Sequence, residues 1–170
     1  MSDIPLPTPL HGTPPQELAA VHNRTFDELA LGDSASIERT LSAQDIELLT
    51  SFAGDAPSTS RAAEEDLALV GHGLGGALIA AVLGTRLPGP GATYLSQSLQ
   101  FHGPVGVGDR LRVSVTVCAR DEATQHVTLA CTGVNQHGST VISGEALVLA
   151  PSSAIERPRA TLPDVRMRLG

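Results

Sequence analysis

A chain of 170 residues is the size of one ordinary domain, able to bury about 70% of its unfolded surface in a single core. Its 41% hydrophobic and 17% charged content excludes a disordered chain, and no run approaches the roughly 18 uninterrupted apolar residues of a spanning helix. All 11 basic residues are Arg against 18 acidic ones, giving a net charge of -7, no basic cluster to follow a phosphate backbone, and only Phe26, Phe52, Phe101 and Tyr94 to stack on bases, which excludes nucleic acid as a partner.

In chain order, residues 1–22 hold five of the 12 prolines (Pro5, Pro7, Pro9, Pro14, Pro15) and read as an extended arm. That stretch has neither a basic start nor an apolar block, so a cytoplasmic protein is expected. The domain is expected over 23–151, with an Arg- and Pro-containing tail over 152–170. Arg24–Leu29 and Ser34–Leu41 read as short strands broken by Leu31-Gly32-Asp33. Ser42 stands where an N-cap belongs. It is followed by Ile46, Leu49 and Phe52 at helical spacing, which predicts a helix over Ala43–Ala53 ended by Gly54.

Residues 55–71 read as a loop with at most one helical turn, its Glu64-Glu65-Asp66 run a solvated face. Gly73–Leu87, whose middle is apolar on all sides, predicts a buried central helix ended by Pro88-Gly89-Pro90-Gly91. From Thr93 to Ala150 the apolar residues recur with period two, which predicts four antiparallel strands separated by turns. That alternation puts Cys131 with Val127 and Leu129, and Cys118 on the other face, so both are expected as free thiols. The expected architecture is α+β, a single antiparallel sheet wrapped around a long buried helix.

Specific strings reinforce this order. Leu31-Gly32-Asp33, Ala53-Gly54-Asp55, His72-Gly73, Leu87-Pro88-Gly89-Pro90-Gly91, Tyr94-Leu95-Ser96-Gln97-Ser98-Leu99-Gln100-Phe101, Pro104-Val105 to Gly108-Asp109 and Asn135-Gln136-His137-Gly138 follow one another as they do in the MaoC-like dehydratases. The chain resembles that family over about residues 24–150, closest to the MaoC-like domain that precedes phosphate acetyltransferase domains. The stretch Ile155–Pro163 is similar to the linker after that domain. The resemblance implies a hot-dog fold, a homodimer joined at sheet edges, an acyl-CoA substrate, no metal or redox cofactor, and (R)-specific hydration of trans-2-enoyl-CoA. A separately encoded phosphate acetyltransferase is the protein partner it suggests.

Hydrating an enoyl thioester requires a water deprotonated toward C3, a proton delivered to C2, and a donor for the enolate oxygen. The family uses Asp and His of "GDxNPxH" and the N–H of the glycine in "HG". Asp55 matches the Asp, and Gly73 matches the oxyanion glycine, with help expected from a helix N-terminus. The sequence then departs from the pattern. Ala56-Pro57-Ser58-Thr59-Ser60-Arg61 follows Asp55 without Asn-Pro or His, Ser60 occupies the place of the His, and the run up to His72 is short. A serine needs a partner to take its proton, and loss of one acid/base group costs on the order of 10² to 10⁴ in rate.

The vacant role falls to Ser60 or His72, with His102 also near by sequence. Leu74, Leu78 and Ala81 are the candidate acyl-pocket residues on the central helix. Each residue also has a plain structural reading. Asp55 suits an Asx turn, His72 a hydrogen bond beside the helix start, and Gly73, Gly75 and Gly76 close packing. Asp33, Asp109 and Asn135 read as turn residues, and His102, His126 and His137 are not spaced as a metal set. Beside the hydratase stand two other readings, a non-catalytic thioester-binding or dimerisation module and a hot-dog thioesterase.

Overall fold

The computed structural model describes residues 20–52 and 64–158 of the chain. In order these form strand β1 (Val21–His22), a 3-10 turn (Phe26–Glu28), β2 (Ser34–Thr40), α1 (Ala43–Phe52), α2 (Glu64–Thr85), β3 (Thr93–Phe101), β4 (Arg110–Asp121), β5 (His126–Val134), β6 (Thr140–Leu149) and β7 (Glu156–Arg157). The four strands read from the period-two pattern are β3 to β6. With β2 they make one antiparallel sheet in the order β2-β4-β5-β6-β3, so β2 and β3 are its edges.

Alternation decides which face is apolar. Val113, Val115 and Val117 of β4, Val127, Leu129 and Cys131 of β5 and Ile142, Ala146 and Val148 of β6 are buried in one cluster with Ile79, Val82 and Leu83 of α2. The other face carries Ser36, Ser114, Thr132 and Ser143 in adjacent register. Cys118 sits at a break in the β4–β5 register and is exposed, while Cys131 is buried, and both thiols are free as expected. Burial pushes the Cys131 thiol up to about 11, with smaller contributions from Cys118 and Glu145, so it stays protonated and unreactive at neutral pH.

Ser42 caps α1 as the sequence suggests. Its N–H and hydroxyl donate to Asp45 Oδ2 at 2.9 and 2.7 Å, and Asp45 N–H returns a bond to Ser42 Oγ at 3.3 Å. Burial alone pushes the Asp45 carboxyl up, but these bonds and the Arg39 guanidinium outweigh it and hold the group below its ordinary value.

Three expectations are corrected. Arg24–Leu29 is not a strand, because Phe26 and Leu29 are the residues that bury, three apart, a spacing that calls for a helical turn. Glu28 closes that turn by accepting from Thr25 N–H at 2.8 Å and Thr25 Oγ1 at 3.0 Å. The central helix begins at Glu64 rather than Gly73, so Glu64-Glu65-Asp66 is its first turn. Nor is α2 enclosed all round, for Ala77, Ala80, Ala81 and Gly84 are exposed along one face.

Beyond Ala150 the described chain stays attached. Val21 pairs with Arg157 and His22 with Glu156, and the Asn23 side chain donates to Ser153 O at 2.8 Å while accepting from Ile155 N–H at 2.7 Å. Among the described residues no helix is long and apolar enough to cross a membrane.

Candidate functional site

Of the predicted site residues, Asp55 and Ser60 lie outside the described residues, and the others all lie on α2. His72 is not ahead of the helix but within it, so the cap-adjacent role does not apply. Its Nε2 lies 2.9 Å from Gly103 O, in the turn after β3, and its ring stacks on Phe101 with centroids 4.4 Å apart and planes 22° apart. The imidazole is therefore fixed in position and in plane.

Gly73 is exposed and stands well past the first four residues of α2, whose N–H groups alone are left free by the helical ladder. The expected gain from a helix N-terminus is thus absent. A Cβ placed on Gly73 would lie 3.4 Å from Leu49 Cδ2, so the glycine faces α1, the helix that leads toward Asp55.

Leu74, Leu78 and Ala81 follow at i, i+4 and i+7, one side of the helix. Leu74 and Leu78 are half-buried and pack against the core, whereas Ala81 is exposed and its carbonyl accepts from Thr85 Oγ1 at 2.6 Å. Edge strand β3 lies on the other side of the helix, beside Gly76 and His72, with Tyr94, Leu95 and Phe101 each more than 40% exposed. Between this strand and Gly76 lies the Gln97 side chain, whose Oε1 accepts from the Tyr94 hydroxyl and whose buried Nε2 has no hydrogen-bond partner among the described residues. Burial, and then the neighbouring Cys131, push the Tyr94 hydroxyl up to about 12, which keeps it a donor at neutral pH.

Sequence reasoning did not identify Phe101 and Gly103 as the partners of His72. The signal lay in Phe101-His102-Gly103-Pro104, an aromatic followed by a turn whose carbonyls are outside the strand ladder. Asp33, Asp109 and Asn135 do shape turns. Asp33 Oδ2 accepts from Ala30 N–H at 2.6 Å, Asp109 Oδ2 from Gly106 N–H at 2.9 Å, and Asn135 Oδ1 from His137 and Ser139 N–H at 3.0 Å each. His102 Nε2 lies 2.7 Å from Ser143 Oγ. Among the described residues no three His, Cys, Asp or Glu side chains gather as a metal-binding group.

No family model matches the chain. An (R)-specific enoyl-CoA hydratase of Rhodospirillum rubrum is 42% identical over 136 residues, which is 75% of this chain and 92% of that protein. A 3-hydroxybutyryl-CoA dehydratase of Methylorubrum extorquens is 37% identical over 151 residues, 85% of this chain and 92% of that one. Among solved structures, the unliganded R-hydratase from Pseudomonas aeruginosa superposes with a TM-score of 0.76 at 29% identity, covering 88% of this chain and all (100%) of that one.

Proposed function

Since the chain belongs to the MaoC-like (R)-specific enoyl-CoA hydratases, a hot-dog family, we propose that it binds acyl-CoA thioesters and adds water reversibly across a trans-2-enoyl thioester to give the 3-hydroxyacyl form. The observation that carries this reading is the relationship along nearly the full length of a hydratase. In the proposed reaction Asp55 takes a proton from water as its oxygen bonds to C3, the C2=C3 pair moves toward C2, and C2 is protonated. His72 or Ser60 fills the second acid/base role, Gly73 lets the thioester approach the backbone, and Leu74 and Leu78 border the acyl chain, with Ala81 farther along the helix.

Two copies of the chain would pair at the exposed edge of β3, burying Tyr94, Leu95 and Phe101. A separate phosphate acetyltransferase as further partner rests on Ile155–Pro163 alone, of which 159–163 lie outside the described residues. A thioester-binding module without turnover is favoured by one observation, that no His stands between Asp55 and His72.

The test is hydration of crotonyl-CoA, followed as loss of the enoyl absorbance, with Asp55→Asn measured beside the natural protein. Turnover reduced by about 10² or more in the variant is the expected result. A protein that binds crotonyl-CoA without turnover would establish the module instead, and release of free CoA would establish a thioesterase.

A further inference from the structure

Residues 102–109, between β3 and β4, carry two of the contacts that fix α2 around His72. Gly103 O meets His72 Nε2 at 2.9 Å, and Val105 presses so closely on the helix that a Cβ on Gly71 would lie 1.7 Å from the Val105 carbonyl oxygen. This loop is held in turn from outside the helix. Asp109 Oδ2 accepts from Gly106 N–H at 2.9 Å, closing the loop on itself, while Asp109 Oδ1 accepts from Gln136 Nε2 at 2.7 Å. Gln136 stands on the β5–β6 hairpin that Asn135 shapes, and its Oε1 accepts from Arg110 N–H at 3.2 Å. The main chain adds Leu41 N–H to Asp109 O at 2.9 Å and Gly108 N–H to Leu41 O at 2.8 Å. The carboxylate of Asp109 thus accepts from the loop with one oxygen and from the neighbouring hairpin with the other.

The chemistry at the far end of this chain of contacts is restrictive. A carbonyl oxygen only accepts, so Nε2 of His72 carries a proton, and in the neutral ring Nδ1 alone keeps a lone pair. The stack on Phe101 fixes the plane in which that lone pair lies. We propose that Asp109 and Gln136 are positioning residues for His72: by clamping the 103–109 loop they hold the Gly103 carbonyl where it locks the imidazole in its Nε2–H tautomer, leaving Nδ1 as the one nitrogen able to take or return a proton at the thioester. The use of that nitrogen rests on the function proposed above, whereas the tautomer is observable without turnover.

The experiment is long-range 1H–15N correlation NMR of the histidine-labelled protein near pH 8, with His72 assigned by loss of its signals in His72→Gln. The natural protein is expected to show the Nε2–H pattern. Asp109→Asn leaves a single acceptor oxygen for two donors, and Gln136→Glu sets two carboxylates face to face. Each is expected to produce a mixed tautomer and to lower kcat for crotonyl-CoA about tenfold with KM changed less than about twofold. The double variant Asp109→Asn/Gln136→Glu restores the contact with donor and acceptor exchanged, and both readouts are expected to return. A natural protein with its proton on Nδ1, or folded single variants that keep the natural tautomer, would overturn the proposal. Where a single variant does not fold, the double variant decides: a natural tautomer supports the clamp and a mixed one sinks it. If crotonyl-CoA is not hydrated at all, the hydratase reading falls, and the tautomer pattern still decides whether the clamp exists.

Discussion

The two halves of α2 are attached to the domain by opposite means. From Ile79 to Thr85, and at Leu87 just past its end, the helix is held by volume, with Ile79, Val82, Leu83 and Leu87 all at most 3% exposed and packed into the cluster of β4, β5 and β6. From Gly71 to Gly76 it is held by proximity. There Val105 O abuts Gly71, a Cβ on Gly75 would lie 2.3 Å from Ile142 Cδ1, and the one long polar side chain, His72, is bonded and stacked. Large side chains make a helix stable but tolerate small shifts, whereas backbone contact tolerates almost none. The stretch bearing the candidate site is built in the second way.

Substitutions at the two ends should separate these modes. Ile79→Ala removes a fully buried side chain from the volume-held half and should cost about 4 kcal/mol in urea unfolding. A cost under about 1 kcal/mol would mean that the half is not packed as described. Gly71→Ala adds one methyl against a backbone oxygen that cannot swing aside, and should cost about 3 kcal/mol, with the His72 resonances displaced as well. If Gly71→Ala proves neutral, proximity does not hold this half of the helix. The smallest effect belongs to the exposed face. Gly84→Ala meets nothing within 4 Å and should stabilise the single chain by about 0.7 kcal/mol by lowering the entropy of the unfolded state. Destabilisation by Gly84→Ala that depends on protein concentration would show that a second copy covers that face.

The same contrast governs what could be read from the residues alone. The volume-held parts were legible, since period two in β4 to β6 and the cap at Ser42 are direct consequences of burial and of free helix N–H groups. The start of α2 was not, because an acidic run is equally at home on a solvated loop and in a first helical turn, and only tertiary context separates them. At Phe26 the spacing itself pointed to the turn, since Phe26 and Leu29 stand three apart and cannot share one face of a strand, but two apolar positions are too few to establish a period. β1 and β7, two residues each, carry no period at all. At the site, His72 was found by type, but its partners Phe101 and Gly103 became visible only when the sheet edge was laid beside the helix. Asp55 and Ser60 lie outside the described residues and rest on the sequence alone.

The pairing of Val21 with Arg157 and of His22 with Glu156 brings two positions far apart in the sequence to neighbouring strands, about 5 Å apart. The first and last described strands therefore meet at a single doorway, as the ends do in modules that can be inserted into a surface loop of another protein. The same adjacency makes circular permutation natural, since a short bridge across that doorway would let new ends open at the exposed turn between β5 and β6 while every rung of the five-stranded ladder stays in register.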